Sequence, residues 1–263
     1  MGIPVCLVTG GAGDGIGGGI CRAVARAGFL VVVGDLDVEG TRRRAKELEA
    51  AGYQADALPF DVTDPARVAK AFDEIKSRWE GLAGLVNSAG IGLVKPAAEV
   101  TIEEWTTLMD TDLRGAWLCA KAAIPLMVEG GGGSIVNIGS VQALGPHVGF
   151  GVYAAAKAGL VGLTRGIAAD YGKSGIRCNV VHPGLIDSEQ SRHILEGMGH
   201  GADAWIDGYV RTRQMIPTAI SAEDVGETVA FLLGPQSRSI TGADIVVDAG
   251  SSVMAFDRDR AGE

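Results

Sequence analysis

The stretch TGGAGDGIGGGICRAV, residues 9–24, follows directly on the apolar run VCLV (5–8) and passes into a helical pattern. Glycine takes positive φ at little steric cost and lets the backbone approach a ligand closely. A helix that starts there presents free N–H groups to an anion such as a pyrophosphate. Glycine is common in this chain, 40 of 263 residues, so the pattern alone is weak. Its place between a first strand and a first helix gives it weight.

Working outward, short β-branched apolar runs recur at VCLVTG (5–10), FLVVVGD (29–35), QADALPFD (54–61), GLVNSAG (84–90), SIVNIGS (134–140), IRCNVVHP (176–183) and DIVVDAG (244–250). Most show little period-two alternation, as strands buried on both faces do. Between them lie amphipathic stretches such as DPARVAKAFDEIKSRWEG (64–81), in which Asp64 is placed to cap and Pro65 to open the helix. This alternation predicts an α/β chain: one doubly wound domain over residues 1–263, a parallel sheet of about seven strands with helices on both faces. Sites in such sheets gather at the carboxyl ends of the strands.

Composition narrows the partners. The 23 basic and 32 acidic residues give a formal charge of −9, which disfavours nucleic acid and anionic lipid. The densest basic spot, RRR (42–44), is followed by acidic residues and reads as a solvated helix face. Cys6, Cys21, Cys119 and Cys178 show no ligand or disulfide spacing, nor do His147, His182, His193 and His200, so no metal is expected. A core strand near the first residue leaves no room for a signal peptide, and no run is long enough to span a bilayer. A soluble, cytoplasmic protein with reduced thiols is expected.

Two further features point to chemistry. The second strand ends at Asp35, near the spacing at which a carboxylate accepts both hydrogen bonds of an adenosine ribose and repels a 2′-phosphate. Asp14 adds negative charge on the loop, and both favour NAD over NADP. Further on, GVYAAAKAGL (151–160) puts Tyr153 and Lys157 on one helical face, with Ser140 thirteen residues before the tyrosine at a strand end. A nearby ammonium stabilises a tyrosinate and lowers the phenol pKa from about 10, as an acid–base for alcohol–ketone interconversion needs.

Taken together, TGGAGDGIG, the acidic end of the second strand, DV (61–62), NSAG (87–90), Ser140, Tyr153 with Lys157, HPG (182–184) and SITGADIVVDAG (239–250) resemble the short-chain dehydrogenase/reductase family, in its shorter single-domain, Rossmann-type branch. The resemblance covers nearly the whole chain. It implies an NAD(H)-dependent oxidoreductase with Tyr153 as general acid/base, Ser140 orienting the substrate oxygen and Lys157 binding the nicotinamide ribose. It also implies cofactor contacts at Gly10, Asp14, Gly15, Ile16 and Gly17, at Asp35 and Leu36, at Asp61 and Val62, at Asn87, Ala89 and Gly90, and at Pro183, Gly184, Ile186 and Ser188. Two departures stand out. Four residues, 11–14, separate TG from GIG where the family usually has three, so the loop is expected to bulge. Asp112, in MDTDLRG (109–115), occupies the place of a catalytic asparagine. A carboxylate there accepts hydrogen bonds but donates none; it is expected either to keep a proton relay with a shifted pH profile or to be merely structural.

The segment 188–217 is long, glycine-punctuated and aromatic-bearing, which suits a substrate lid. Gln142, Leu144, His147, Phe150, His193, Trp205 and Tyr209 are candidate pocket walls for a small, largely uncharged secondary alcohol or ketone, possibly cyclic. Arg192, Arg211 and Arg213 are the nearest thing to an anion clamp. His182 is read as a strand-end residue lining the site. Gly159, Gly162 and Gly166 suggest close packing of their helix, and relatives pair this helix across subunits as tetramers or dimers. DRDRAGE (257–263) reads as a solvated tail. The competing readings are a non-catalytic NAD(H) redox sensor, an NADPH-dependent ketone reductase and an epimerase or dehydratase that uses the cofactor transiently.

Overall fold

Val5–Thr9 forms β1, and its side chains point alternately into two apolar cores: Val5 and Leu7 into one, Cys6 and Val8 into the other. Both faces of the strand are apolar because both are covered, and each such large side chain contributes about 1.5–3 kcal/mol by leaving water. The computed structural model describes residues 2–79, 81–197 and 199–254; the expected tail DRDRAGE lies outside the described residues. In chain order the elements are β1, α1 (Ile16–Arg26), β2 (Leu30–Asp35), α2 (Val38–Ala50), β3 (Ala55–Pro59), α3 (Pro65–Trp79), β4 (Gly84–Asn87), α4 (Ile102–Met109), α5 (Gly115–Glu129), β5 (Gly133–Ile138), α6 (Gly151–Tyr171), β6 (Ile176–Pro183), α7 (Glu189–Gly197), α8 (Ala202–Arg213), α9 (Ala222–Leu233) and β7 (Asp244–Val247).

The strands form one parallel sheet of seven in the order β3-β2-β1-β4-β5-β6-β7. Side chains of α3, α5 and α6 fill the core on one face, and those of α1, α2 and α9 fill the other. The order reverses between β1 and β4, so the loops after these strands open a crevice at their carboxyl ends. Asp64 accepts the Ala66 and Arg67 N–H groups at the start of α3, as the sequence predicts. Several strands end earlier than their apolar runs. At Thr9 the reason is visible: its hydroxyl accepts the N–H groups of Ser88 and Ala89, which replaces the ladder and turns the NSAG backbone into the crevice.

Two expectations are corrected. Arg44 is no part of a solvated face: it is 2% exposed and its guanidinium reaches Gly13 O, Asp14 and Glu47. The acidic partners, not water, carry its charge. Of the three helix glycines only Gly159 is closely packed, since a Cβ there would meet Leu113 at 2.7 Å, whereas one at Gly162 or Gly166 would meet nothing within 4 Å.

Candidate active site

The crevice is a cavity of about 1090 Å³ between the glycine loop, the ends of β2 and β3, the α4–α5 junction, α6 and the start of α7. Gly10 has φ +69°, and a Cβ on Gly17 would come within 1.9 Å of Gly10 O, so the loop folds back onto the helix only with glycine at both places. Gly15 caps α1 without a side-chain hydrogen bond, which leaves the helix N-terminus open to the cavity. Uncapped N–H groups and the positive end of the helix dipole favour an anionic group. The four-residue spacer is tied to α2. Arg44 donates to Gly13 O at 3.1 Å and pairs with Asp14, and Arg43 donates to Ala12 O at 3.1 Å. Hydrogen bonding to Arg44 holds the Asp14 carboxyl below its ordinary pKa. Asp14 is therefore a compensated charge, in contrast to the sequence reading. Asp35 stands beside the loop, its oxygens accepting Ala12 N–H and Asp37 N–H at 3.1 Å.

At the other end of the cavity, Tyr153 and Lys157 lie on α6 and Asp112 lies on a π-helical turn (Asp110–Arg114) joining α4 to α5. Such turns redirect one side chain out of helical register. Here Asp112 points inward with a 0% exposed side chain. One oxygen accepts Ile91 N–H at 2.8 Å, and the other lies 3.0 Å from Lys157 Nζ. The ammonium also donates to Ile138 O at 3.1 Å and stands 5.6 Å from the centre of the Tyr153 ring. Burial disfavours this ammonium, but the Asp112 carboxylate and the tyrosine beside it outweigh burial, and the Lys157 pKa is raised above its ordinary value. Ser140 follows Gly139, which lines the cavity, and its Oγ accepts Gln142 N–H at 3.2 Å, leaving the hydroxyl proton for another acceptor.

Of the remaining sequence candidates, Gly10, Asp14, Gly15, Ile16, Gly17, Leu36, Asp61, Val62, Ala89, Gly90 and Ser188 line the same cavity. The others do not. Asn87 is turned inward, its amide donating to Asn137 and to Ala116 O, so it ties β4 to β5 and α5. Pro183 and Ile186 are buried, and a Cβ on Gly184 would press on Asp248. Gln142, His147 and Phe150 form a chain of contacts that ends edge-on against Tyr153. His193 is exposed, and Trp205 stacks on Tyr209 at 5.3 Å along α8 itself. Within 188–217, Glu189–Gly197 and Ala202–Arg213 are helices that share a small core of their own (Leu195, Ala202, Ile206). Arg192 is spent on Asp187 and Asp203 and offers no free clamp. His182 is 0% exposed and sits behind Ser140 instead of lining the site. Sequence reasoning missed Thr9 and Arg44; only the threonine, in the TG dipeptide, carried a local signal.

A doubly wound sheet whose first glycine turn, Asp35 and Tyr–Lys pair open on one crevice defines a Rossmann-type scaffold. Known proteins agree with it. The family model described as "Enoyl-(Acyl carrier protein) reductase" matches residues 11–252. A probable short-chain type dehydrogenase/reductase of Bradyrhizobium diazoefficiens is 37% identical over 250 residues, 94% of this chain and 86% of that one. The cis-4-hydroxycyclohexanecarboxylate dehydrogenase of Sinomonas cyclohexanicum is 36% identical over 251 residues, 95% of this chain and 97% of that one. A gluconate 5-dehydrogenase from Burkholderia cenocepacia, solved with NADP and tartrate, superposes with a TM-score of 0.89 at 30% identity, covering 96% of each chain. The chain belongs to the short-chain dehydrogenase/reductase family. It is an oxidoreductase from a family that uses nicotinamide cofactors on hydroxyl and ketone substrates.

Proposed function

We propose that the protein interconverts a secondary alcohol and a ketone with NAD(H), Tyr153 acting as general acid/base. The observation that carries this reading is the meeting of Tyr153, Lys157 and Asp112 in the cavity that also holds Asp35 and the open N-terminus of α1. The residues fit a dinucleotide: the glycine loop for its pyrophosphate, Asp35 with Leu36 for the adenosine ribose, Asp61 and Val62 for adenine, Lys157 for the second ribose. The nicotinamide, when bound, accepts or supplies the hydride. Tyr153 Oη takes the alcohol proton in oxidation and returns it in reduction. Ser140 Oγ donates to the substrate oxygen, and the Lys157 ammonium favours negative charge on the tyrosine oxygen. Asp112 holds that ammonium at 3.0 Å and tempers its effect, so it acts on the proton step through Lys157.

NAD is favoured over NADP because the Asp35 carboxylate would face a 2′-phosphate. The NADP seen in the gluconate 5-dehydrogenase structure, and the neutralisation of Asp14 by Arg44, support an NADPH-dependent reductase as the second reading. A small, largely uncharged, cyclic alcohol suits the substrate end and accords with the ring in the Sinomonas dehydrogenase's name. Exposed Trp105 and Trp117 on α4 and α5 favour a homodimer or homotetramer, and four buried free cysteines suit the cytoplasm.

Parallel fluorescence titrations with NADH and NADPH, followed by a screen of cyclic alcohols such as cyclohexanol, test this reading. Tighter NADH binding, reversed toward NADPH in Asp35→Ser, is expected. Equal or tighter NADPH binding by the unaltered protein would select the reductase, and binding of neither would remove the catalytic reading.

A further inference from the structure

The β5–β6 ladder closes where Gly139 N–H donates to Val181 O at 2.7 Å. The next peptide, that of Ser140, meets a side chain instead: His182 Nδ1 lies 3.2 Å from Ser140 N and 3.0 Å from Ser140 O. The ring is seated against the backbone, since a Cβ on Gly139 would fall 2.5 Å from that nitrogen. On its other side, Nε2 faces Asp244 Oδ1 at 4.0 Å, and neither atom has a hydrogen-bond partner among the described residues. Asp244 Oδ2 accepts from Arg165 at 2.6 Å, which anchors the carboxylate from the surface of α6.

A neutral imidazole carries one proton, and the two choices differ sharply here. With the proton on Nδ1, the ring donates to Ser140 O. The Ser140 N–H then has no acceptor among the described residues, and the bare Nε2 lone pair faces the buried oxygen of a carboxylate. With the proton on Nε2, Nδ1 accepts Ser140 N–H and the N–H of the far nitrogen faces the Asp244 charge. The second arrangement satisfies the buried donor and replaces the repulsion from a full carboxylate charge with a weaker one, between the Nδ1 lone pair and the uncharged Ser140 carbonyl at 3.0 Å.

We propose that His182 is a positioning residue for Ser140: as the Nε2–H tautomer, set by Asp244, it holds the serine peptide from behind and so fixes where Ser140 Oγ meets the substrate. The inference rests on the role proposed above for Ser140. His182 touches no substrate and moves no proton.

The test combines nitrogen-15 NMR of histidine-labelled protein with kinetics, the probe reaction being cyclohexanol oxidation by NAD. His182→Asn identifies the His182 signals. At pH 7.5 they are expected to show an unprotonated Nδ1 and a protonated Nε2, and Asp244→Asn is expected to mix the tautomers. His182→Leu is expected to lower kcat about tenfold with KM within twofold, because a buried donor loses its acceptor, while NADH affinity is unchanged. His182→Asn, whose Oδ1 can stand where Nδ1 accepts, is expected to recover most of the loss. An Nδ1-protonated or doubly protonated ring overturns the proposal, as does a folded His182→Leu with undiminished kcat. If the unaltered protein does not oxidise cyclohexanol, the functional reading is what has failed, and the tautomer measurement still decides the part given to His182 and Asp244. If His182→Leu does not fold, the kcat and tautomer changes in Asp244→Asn decide it.

Discussion

Asp112→Asn removes one acceptor from a group that uses two. The carboxylate holds Ile91 N–H through one oxygen and the Lys157 ammonium, at 3.0 Å, through the other, with no exposure of its own side chain. An asparagine has a single oxygen, so its NH2 must face either a peptide N–H or an ammonium. Facing the peptide costs about 1–3 kcal/mol. Stripping the buried ammonium of its charge partner costs on the order of 3–5 kcal/mol, although Ile138 O still accepts from it. At about 2–4 °C per kcal/mol for a domain of this size, the larger cost lowers Tm by roughly 6–20 °C. The sign of the pH dependence is also set. Lys157 in the intact protein has a raised pKa, so its contribution is complete below its unfolded value of about 10.4 and is lost as pH rises through the higher folded value. Without the carboxylate, burial prevails and the folded pKa drops below 10.4. The variant should then gain stability with rising pH over the window in which the intact protein stays level. Thermal melts of Asp112→Asn, Lys157→Met and the double variant between pH 7 and 10 check this, and the double should be milder than the sum. A single variant melting within about 1 °C of the intact protein, with the same level pH response and additive effects, would refute the two-acceptor reasoning.

Gly17→Ala should abolish NADH binding or folding, because its Cβ would meet Gly10 O at 1.9 Å, whereas Gly13→Ala, with open space, should melt within about 2 °C of the intact protein; melting and NADH titration separate the two. Arg44→Met should release Gly13 O and Asp14 and weaken NADH binding about tenfold, while leaving unaltered the far end of the cavity, as read by the pH-rate profile. Burial lowers the His182 pKa, opposed by its contacts with the Ser140 peptide and Asp244, with Lys157 adding to the lowering and Arg165 bound to the far side of Asp244. Unfolding therefore takes up a proton, and stability should fall as pH drops from about 6.5 toward the folded value. His182→Asn should flatten that part of the Tm–pH curve.

What the chain alone determined is what short-range patterning controls. Unbroken apolar runs separated by helical periods specify a parallel sheet covered on both faces; six of the seven strands fall inside the runs that predict them, and β5 begins one residue earlier, at Gly133. The glycine turn was legible because no other residue fits Gly10 and Gly17, and the pairing of Tyr153 with Lys157 because helical spacing puts them on one face. Asp112 could be flagged as unusual, but not that a π-helical turn aims both of its oxygens at partners 21 and 45 positions away. Arg44 read as a surface charge because its own neighbours on α2 are charged; it is buried because α2 packs against the glycine loop. His182 read as a residue lining the site because strand ends usually do. It lies behind the serine because the β5–β6 register sets its ring against Gly139. Periodicity and local sterics act within a few residues and are written in the chain. Partners of buried charges come from segments brought together only when the sheet is assembled, and tertiary structure alone decides them.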